Sequence, residues 1–254
     1  RWLPKRGMKF MTKWIKKTIK GLLARRGYSV TWCQPGVPSG LDLRGDLQIL
    51  VRSENPVILD VGANRGQTIE MLCGTFDAPQ IIAFEPLGSV FGELQRTHGG
   101  RCRDLFHMAL GAHDEVKEFI NYERSEFSSL RRLAPSALHE FSEIKVRSVE
   151  KVQVRSLDSL FPELGIAELD LLKIDTQGHD LDVLNGARML FQQGRVKRVL
   201  VEMNFVPMYE GEGSALEIMT FLDSQQLSLV DLYEKSHGGG VLTWCTALFQ
   251  RVDK

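Results

Sequence analysis

Cysteine is scarce in this chain and scattered where it occurs. The four, Cys33, Cys73, Cys102 and Cys245, form no C-x-x-C pair and cluster with no histidine, so neither a zinc site nor a disulfide framework is indicated. No apolar run approaches the roughly 20 residues that a membrane-spanning helix needs. Internal repeats and low-complexity tracts are also missing. These absences leave a reduced globular protein, expected in the cytoplasm. Its 254 residues at 43% apolar are enough for one sizeable core.

Acid is missing from the first 41 residues. Ten lysines and arginines precede Asp42, which leaves 22 basic against 32 acidic residues in the remainder, a net −10. In that head Phe10, Met11, Trp14, Ile15, Thr18, Ile19, Leu22 and Leu23 recur at three- and four-residue spacing, the pattern of an amphipathic helix with lysines opposite. Such a helix over residues 8–26 either packs its stripe on the body or lies on an anionic membrane surface, where each basic residue adds roughly 1 kcal/mol. Lysines interrupt every apolar run, so a secretory signal is not expected. The segment QPGVPSG, residues 34–40, reads as a linker. The expected organisation is a basic helix and linker over 1–40 and one domain over 41–254.

The body alternates strand and helix. VILDV opens it, RGQTIEMLCGTF continues as a helix, and QIIAFEP is a second strand. A helix through Val90, Phe91 and Leu94 follows, then RDLFHMALG as a third strand, EVKEFINY as an extra one and VEKVQVRSL as a further extended piece. Next come the buried strand LDLLKIDT, the helix LDVLNGARMLFQQG closed by Gly194, the strand VKRVLVEMN, the helix SALEIMTFLDSQ and the strand LSLVDLY. After the HGGG turn at 237–240, LTWCTALFQRV is too close to cross over and should pair antiparallel. This order predicts an α/β, doubly wound, mostly parallel sheet with helices on both faces.

In such a sheet, ligands collect outside the carboxyl ends of the strands, where strand order reverses. The turn Gly62-Ala63-Asn64-Arg65-Gly66 falls there and opens a helix, so small residues and unpaired N–H groups meet at one spot. Asp60 just ahead of it disfavours a pyrophosphate and favours a cationic group. The second strand ends at Glu85-Pro86, 23 residues beyond Gly62, where a carboxylate can accept both hydroxyls of a ribose. A ribose with a charged amino-acid end describes S-adenosylmethionine. A dinucleotide fits less well, because G-x-G-x-x-G would need glycines where Asn64 and Gln67 stand.

Taken in order, VILDVGANRGQ, IIAFEP, HMALGA, FSSL, VRSLDSL and LLKIDTQGHDLDVLNGA resemble the FkbM-type methyltransferases over roughly residues 55–252. The resemblance implies an S-adenosylmethionine-dependent O-methyltransferase with the class I, Rossmann-like fold of seven main strands. It implies an acceptor hydroxyl on a sugar, glycan or polyketide-like product. By position it implies that Asp60, Gly62 and Asn64 line the methionine end, with Ala63 and Gly66 also among the cofactor-binding residues. Glu85 and Pro86 would hold the ribose, and Met108, Ala109 and Leu110 the adenine, with Asp175 near the transferred methyl. Ser128 and Ser129 would belong to a substrate loop. One departure stands out: where the family reads Glu-Gly and a further Glu, this chain carries Gln177-Gly178 and His179.

For the acceptor's proton, His179 is the best-suited base by its ordinary pKa of roughly 6.5, and Asp175 is the strand-end carboxylate beside it. The plainer readings are a surface histidine at a helix start for His179 and a helix cap for Asp175. Asp175, Glu202 and Asn204, at two neighbouring strand ends, could offer oxygen ligands to a magnesium-type ion, but a divalent metal is not expected. His107, in an apolar strand, reads as core. A nucleic-acid methyltransferase would employ the basic head, yet the Asn/Asp-Pro-Pro-aromatic run of the amine-methylating kind is missing at Asp175-Thr176-Gln177-Gly178, so nucleic acid is not the expected partner. A non-catalytic adenosyl-binding module and an NAD-type oxidoreductase are competing readings of the same strand ends.

Overall fold

The computed structural model describes residues 17–20, 22–23, 25–26, 34–135 and 144–252. The chain forms two compact units, Arg1–Val37 and Pro38–Lys254. In the first, residues 17–20 and 22–23 are helical, with Ile19 and Leu22 exposed. Phe10, Met11, Trp14 and Ile15 of the predicted stripe lie outside the described residues.

In the second unit, helix α1 (Leu43–Leu50) begins at Asp42, whose side chain accepts from Arg44 N. Strand β1 (Val57–Val61) pairs in parallel with β2 (Gln80–Phe84), and β2 with β3 (Asp104–Phe106). The crossovers are α2 (Gln67–Cys73) and α3 (Gly88–His98). On the other flank of β1 lies β7 (Leu171–Ile174), followed by β8 (Arg198–Asn204). After helix α7 (Ala215–Ser224), β9 (Leu227–Gly238) takes the edge and β10 (Val241–Arg251) returns between β8 and β9, antiparallel to both. The order is β3-β2-β1-β7-β8-β10-β9, so the strand order reverses between β1 and β7. This is the expected doubly wound sheet with its antiparallel last strand.

Period-two burial divides the core. Leu59, Val61, Leu172, Ile174, Val201 and Met203 face one side, and Ile58, Leu171 and Leu200 face the other, where Leu47, Ile69 and Leu72 of α1 and α2 cover them. Continuous apolar strands of this kind need helices on both faces.

Two predicted elements are divided in the structure. RDLFHMALG splits into β3 and a separate β4 (Ala109–Leu110), which joins a small second sheet in the order β4-β6-β5 with β5 (Glu115–Tyr122) and β6 (Val146–Arg155). At the break His107 is exposed and stacks on Phe91 at 4.7 Å between centroids, so it is not the core residue expected. The helix predicted up to Gly194 is α5 (Asp180–Asn185) and α6 (Arg188–Gln192). Gly186 separates them because a Cβ there would lie 1.9 Å from Gly111 O, and Asp158 of the short helix α4 (Leu157–Leu160) restarts the helix by accepting from Met189 N and Leu190 N.

Candidate active site

The C-terminal ends of β1, β7 and β8 carry a polar cluster set by register. Asp60 pairs laterally with Lys173, and continuing the β7/β8 register from Ile174↔Val201 brings Asp175 opposite Glu202. By alternation all four side chains leave the sheet on the face of α1 and α2. Lys173 is buried, its Nζ 2.9 Å from Asp60 Oδ1 and 3.7 Å from Asp175 Oδ2, and it donates to Gly62 O at 3.0 Å. Burial works against the ammonium charge, but Asp60 and Asp175 outweigh it and hold Lys173 above its ordinary range.

Asp60 itself is fully buried. Its charge is answered by Lys173 rather than offered to a ligand, which corrects the inference that it draws a cationic group by a bare negative charge. Gly62 is likewise explained by packing before ligand approach. At φ +80°, a Cβ there would meet Asp175 O at 1.9 Å, where the ends of β1 and β7 touch. Gly66, at φ +92°, backs onto His98 and opens α2.

The turn is tied to β2 through Glu85, whose Oε2 accepts from Asn64 N at 2.9 Å and Oε1 from Leu87 N at 2.8 Å. Glu85 is 5% exposed. Burial pushes its pKa up to about 7, against the lowering pull of the Leu87 and Asn64 N–H groups. Asn64 occupies the left-handed region at φ 46°, a conformation its short side chain tolerates.

These residues wall a cavity of about 460 Å³ outside the switch point, within the usual range for a small-molecule site. Gly62, Ala63, Asn64, Glu85, Pro86, Met108, Ala109, Leu110, Asp175 and His179 all line it, whereas Asp60 and Gly66 do not. Leu87, Val90 and Phe119 complete an apolar end near Met108. Asn64 Oδ1, of a lining residue, is buried and makes no hydrogen bond among the described residues.

At the opposite end the chain leaves β7 in a tight loop. Asp180 closes it, accepting from Thr176 N at 2.9 Å and Gly178 N at 3.1 Å, and burial pushes its carboxyl up to about 6. Gln177, left-handed at φ 56°, is the hub: its Nε2 donates to Asp175 Oδ1 at 2.7 Å and reaches Glu202 Oε1 at 3.4 Å, while Oε1 accepts from Tyr209 Oη at 2.7 Å. Burial, with Asp175 and Asp180 nearby, raises the Glu202 carboxyl well above its ordinary range. Sequence reasoning reaches Glu202 only as a metal ligand and Lys173 and Gln177 only as parts of a motif, and it misses Tyr209 and Asp180. The signal available was alternation: an acid, a lysine and two further acids fall on one face of three apolar strands.

His179 is 2% exposed, which rules out a surface histidine. Its Nδ1 lies 3.0 Å from Asp182 Oδ2, which also accepts from Arg131 Nη2 at 2.6 Å. Burial would raise the Asp182 carboxyl, yet these two partners hold it well below the carboxylate range. Ser129 Oγ is committed to Gln177 O and Arg131 N, and Ser128 Oγ to Tyr122 N, so both serines fasten the loop over the cavity. For a metal, the donor set fits poorly. An amide N–H of Gln177 sits between the Asp175 and Glu202 carboxylates, and Asn204 Nδ2 donates to Glu212 Oε2 at 2.9 Å. Among the described residues no three His, Cys, Asp or Glu side chains converge as a metal site.

Comparison with known proteins agrees with this geometry. A 2-O-methyltransferase, NoeI of Sinorhizobium fredii, is 25% identical over 217 residues, spanning 83% of this chain and 88% of that protein. A hexuronic acid methyltransferase, AglP of Haloferax volcanii, is 25% identical over 168 residues, 64% of each protein. Among solved structures, a methyltransferase FkbM from Methylobacillus flagellatus shares the fold at a TM-score of 0.50 and 16% identity, over 78% of this chain and 44% of that one. The methyltransferase FkbM domain matches residues 60–229, from the aspartate of β1 to the start of β9. Since that match takes in the turn, the carboxylate-bearing ends of β1, β2, β7 and β8 and most of the cavity wall, the chain belongs to the FkbM methyltransferase family.

Proposed function

We propose that this chain is an S-adenosylmethionine-dependent O-methyltransferase acting on a hydroxyl of a sugar, glycan or polyketide-like acceptor. The observation that carries the reading is Glu85. A buried carboxylate, aligned by two backbone N–H groups on the cavity wall, still has lone pairs for the two hydroxyls of a ribose. The apolar end at Met108, Ala109 and Leu110 suits the adenine. The backbone of Gly62, Ala63 and Asn64, with the unpartnered Asn64 Oδ1, suits the methionine end. Asp60 serves that end indirectly, through Lys173 and the Gly62 carbonyl. Relatives named as a 2-O-methyltransferase and a hexuronic acid methyltransferase favour an oxygen acceptor.

When bound, S-adenosylmethionine supplies an electrophilic methyl on a sulfonium. Holding the acceptor oxygen in near-attack geometry can then contribute about 7 to 11 kcal/mol. Asp175 is the reachable proton acceptor, with a side chain 38% exposed at the cavity wall and one oxygen fixed by Gln177. General-base help of this kind contributes about 10²- to 10⁴-fold. His179, held by Asp182, flanks the same wall, so His179→Ala should leave cofactor binding intact and slow turnover. Calorimetry with S-adenosylhomocysteine tests the central assignment. Glu85→Ala should weaken binding about 10- to 100-fold, the loss of hydrogen bonds to a charged group, and equal affinity in both proteins would rule the ribose role out.

A further inference from the structure

A second cavity, of about 640 Å³, lies on the α1/α2 face of the sheet and shares Gln67, Thr68, Lys173, Asp175, Glu202 and Glu234 with the first. The two therefore meet at Asp175. The far wall comes from segments outside the family match: Gly40 to Arg44 ahead of β1, and Leu232 to Lys235 with Thr246 on β9 and β10. The first cavity, by contrast, is walled almost wholly from within the matched span. The span common to the family thus frames one cavity, and flanking segments complete the other.

That outer wall is built and held. Asp46 is buried in α1 and accepts from Ser39 N at 2.7 Å, Gly40 N at 2.8 Å and Tyr233 Oη at 2.9 Å, which fastens the 39–44 segment to β9. Gly40 is left-handed at φ +68°, a conformation L side chains rarely adopt, and the Asp231 carboxylate fills the place of a Cβ. Glu234, left-handed at φ 49° within β9, accepts from Thr246 Oγ1 at 2.8 Å beside an irregularity in the β9/β10 pairing.

We infer that this second cavity is the acceptor pocket, and that it takes a neutral, hydroxyl-rich ligand presenting one hydroxyl to Asp175. The inference rests on the cofactor occupying the first cavity. Charged residues of both signs line it, Asp42, Asp175, Glu202 and Glu234 with Arg44, Lys173 and Lys235, so no excess of cations selects a carboxylate or phosphate. Among the described residues Tyr233 is its one aromatic side chain, and it is buried with its hydroxyl committed to Asp46, so a flat aromatic acceptor finds little to stack on. A mixture of donors and acceptors of this kind suits a polyol.

Methionine methyls separate the cavities, since Met71 lines only the second and Met108 and Met208 only the first. In the full chain labelled with methyl-¹³C methionine, S-adenosylhomocysteine should shift Met108; no shift there overturns the cofactor reading, whatever Met71 does. With that ligand saturating, methyl α-D-glucopyranoside should shift Met71. Arg44→Ala and Lys235→Ala should each weaken that titration about tenfold while leaving S-adenosylhomocysteine affinity unchanged. A glycoside response at Met208 without Met71 would overturn the pocket assignment. So would an unmoved Met71, and a Met71 response to catechol in place of the glycoside would overturn the ligand class.

Discussion

At Glu85 the fold and the ligand ask for opposite protonation states. Its folded pKa, about 7, lies above the ordinary 4.5, so the side chain favours the folded chain below the ordinary value, and that contribution is lost as pH rises through about 7. Accepting two ribose hydroxyls requires the ionised form, so S-adenosylhomocysteine should bind more weakly at pH 6 than at pH 8, as isothermal titration would show, and Glu85→Gln should flatten that dependence. Asp60 makes a different prediction. Because its charge answers a buried ammonium, Asp60→Ala takes away the nearer partner of Lys173, leaving Asp175 at 3.7 Å, and should destabilise the chain by about 3 kcal/mol in urea unfolding. The double replacement Asp60→Leu with Lys173→Met should recover most of that stability, although the Gly62 carbonyl loses its donor. For Asp60, sequence reasoning places the carboxylate at the strand end but not the lysine it meets there. A lysine 113 residues further on cannot be assigned to it without the β1/β7 register.

Among the elements, the break between α5 and α6 is the sharpest test. Local preference counts Gly186→Ala as a gain, since alanine is favoured over glycine in a helix by about 1 kcal/mol. Here the added Cβ would meet the Gly111 carbonyl at 1.9 Å, backbone that cannot turn aside. Gly186→Ala should therefore lower the melting temperature and separate α5 from the end of β4, disturbing His179, whose Nε2 approaches the Cβ position of Gly111 at 2.9 Å. Strands β1, β2, β7, β8 and β10 were legible because continuous apolar runs of that length, bounded by turn residues, have few other uses. The split of RDLFHMALG was not, because period-two patterning does not say which sheet a strand joins, and β4 pairs with β6 more than 40 residues away.

For the molecule as a whole, charge divides the chain more sharply than hydrophobicity does. If the basic head over residues 8–26 meets an anionic surface, the full chain should sediment with phosphatidylserine vesicles at low salt, and a chain beginning at Pro38 should not. Equal sedimentation of the two would remove the membrane proposal. No helix among the described residues is long and apolar enough to cross a membrane.

Alternation, turn glycines and the order of motifs determined from sequence alone that the sheet is doubly wound, and where along each strand its cavity-facing end lies. Those are local properties, fixed within a few residues by backbone geometry. Tertiary structure decided what the polar side chains at those ends face. It paired Asp60 with Lys173, placed the Gln177 amide between Asp175 and Glu202, and buried His179 against Asp182. A charge takes its meaning from its neighbours within a few ångströms, and in a parallel sheet those neighbours come from strands far apart in the chain.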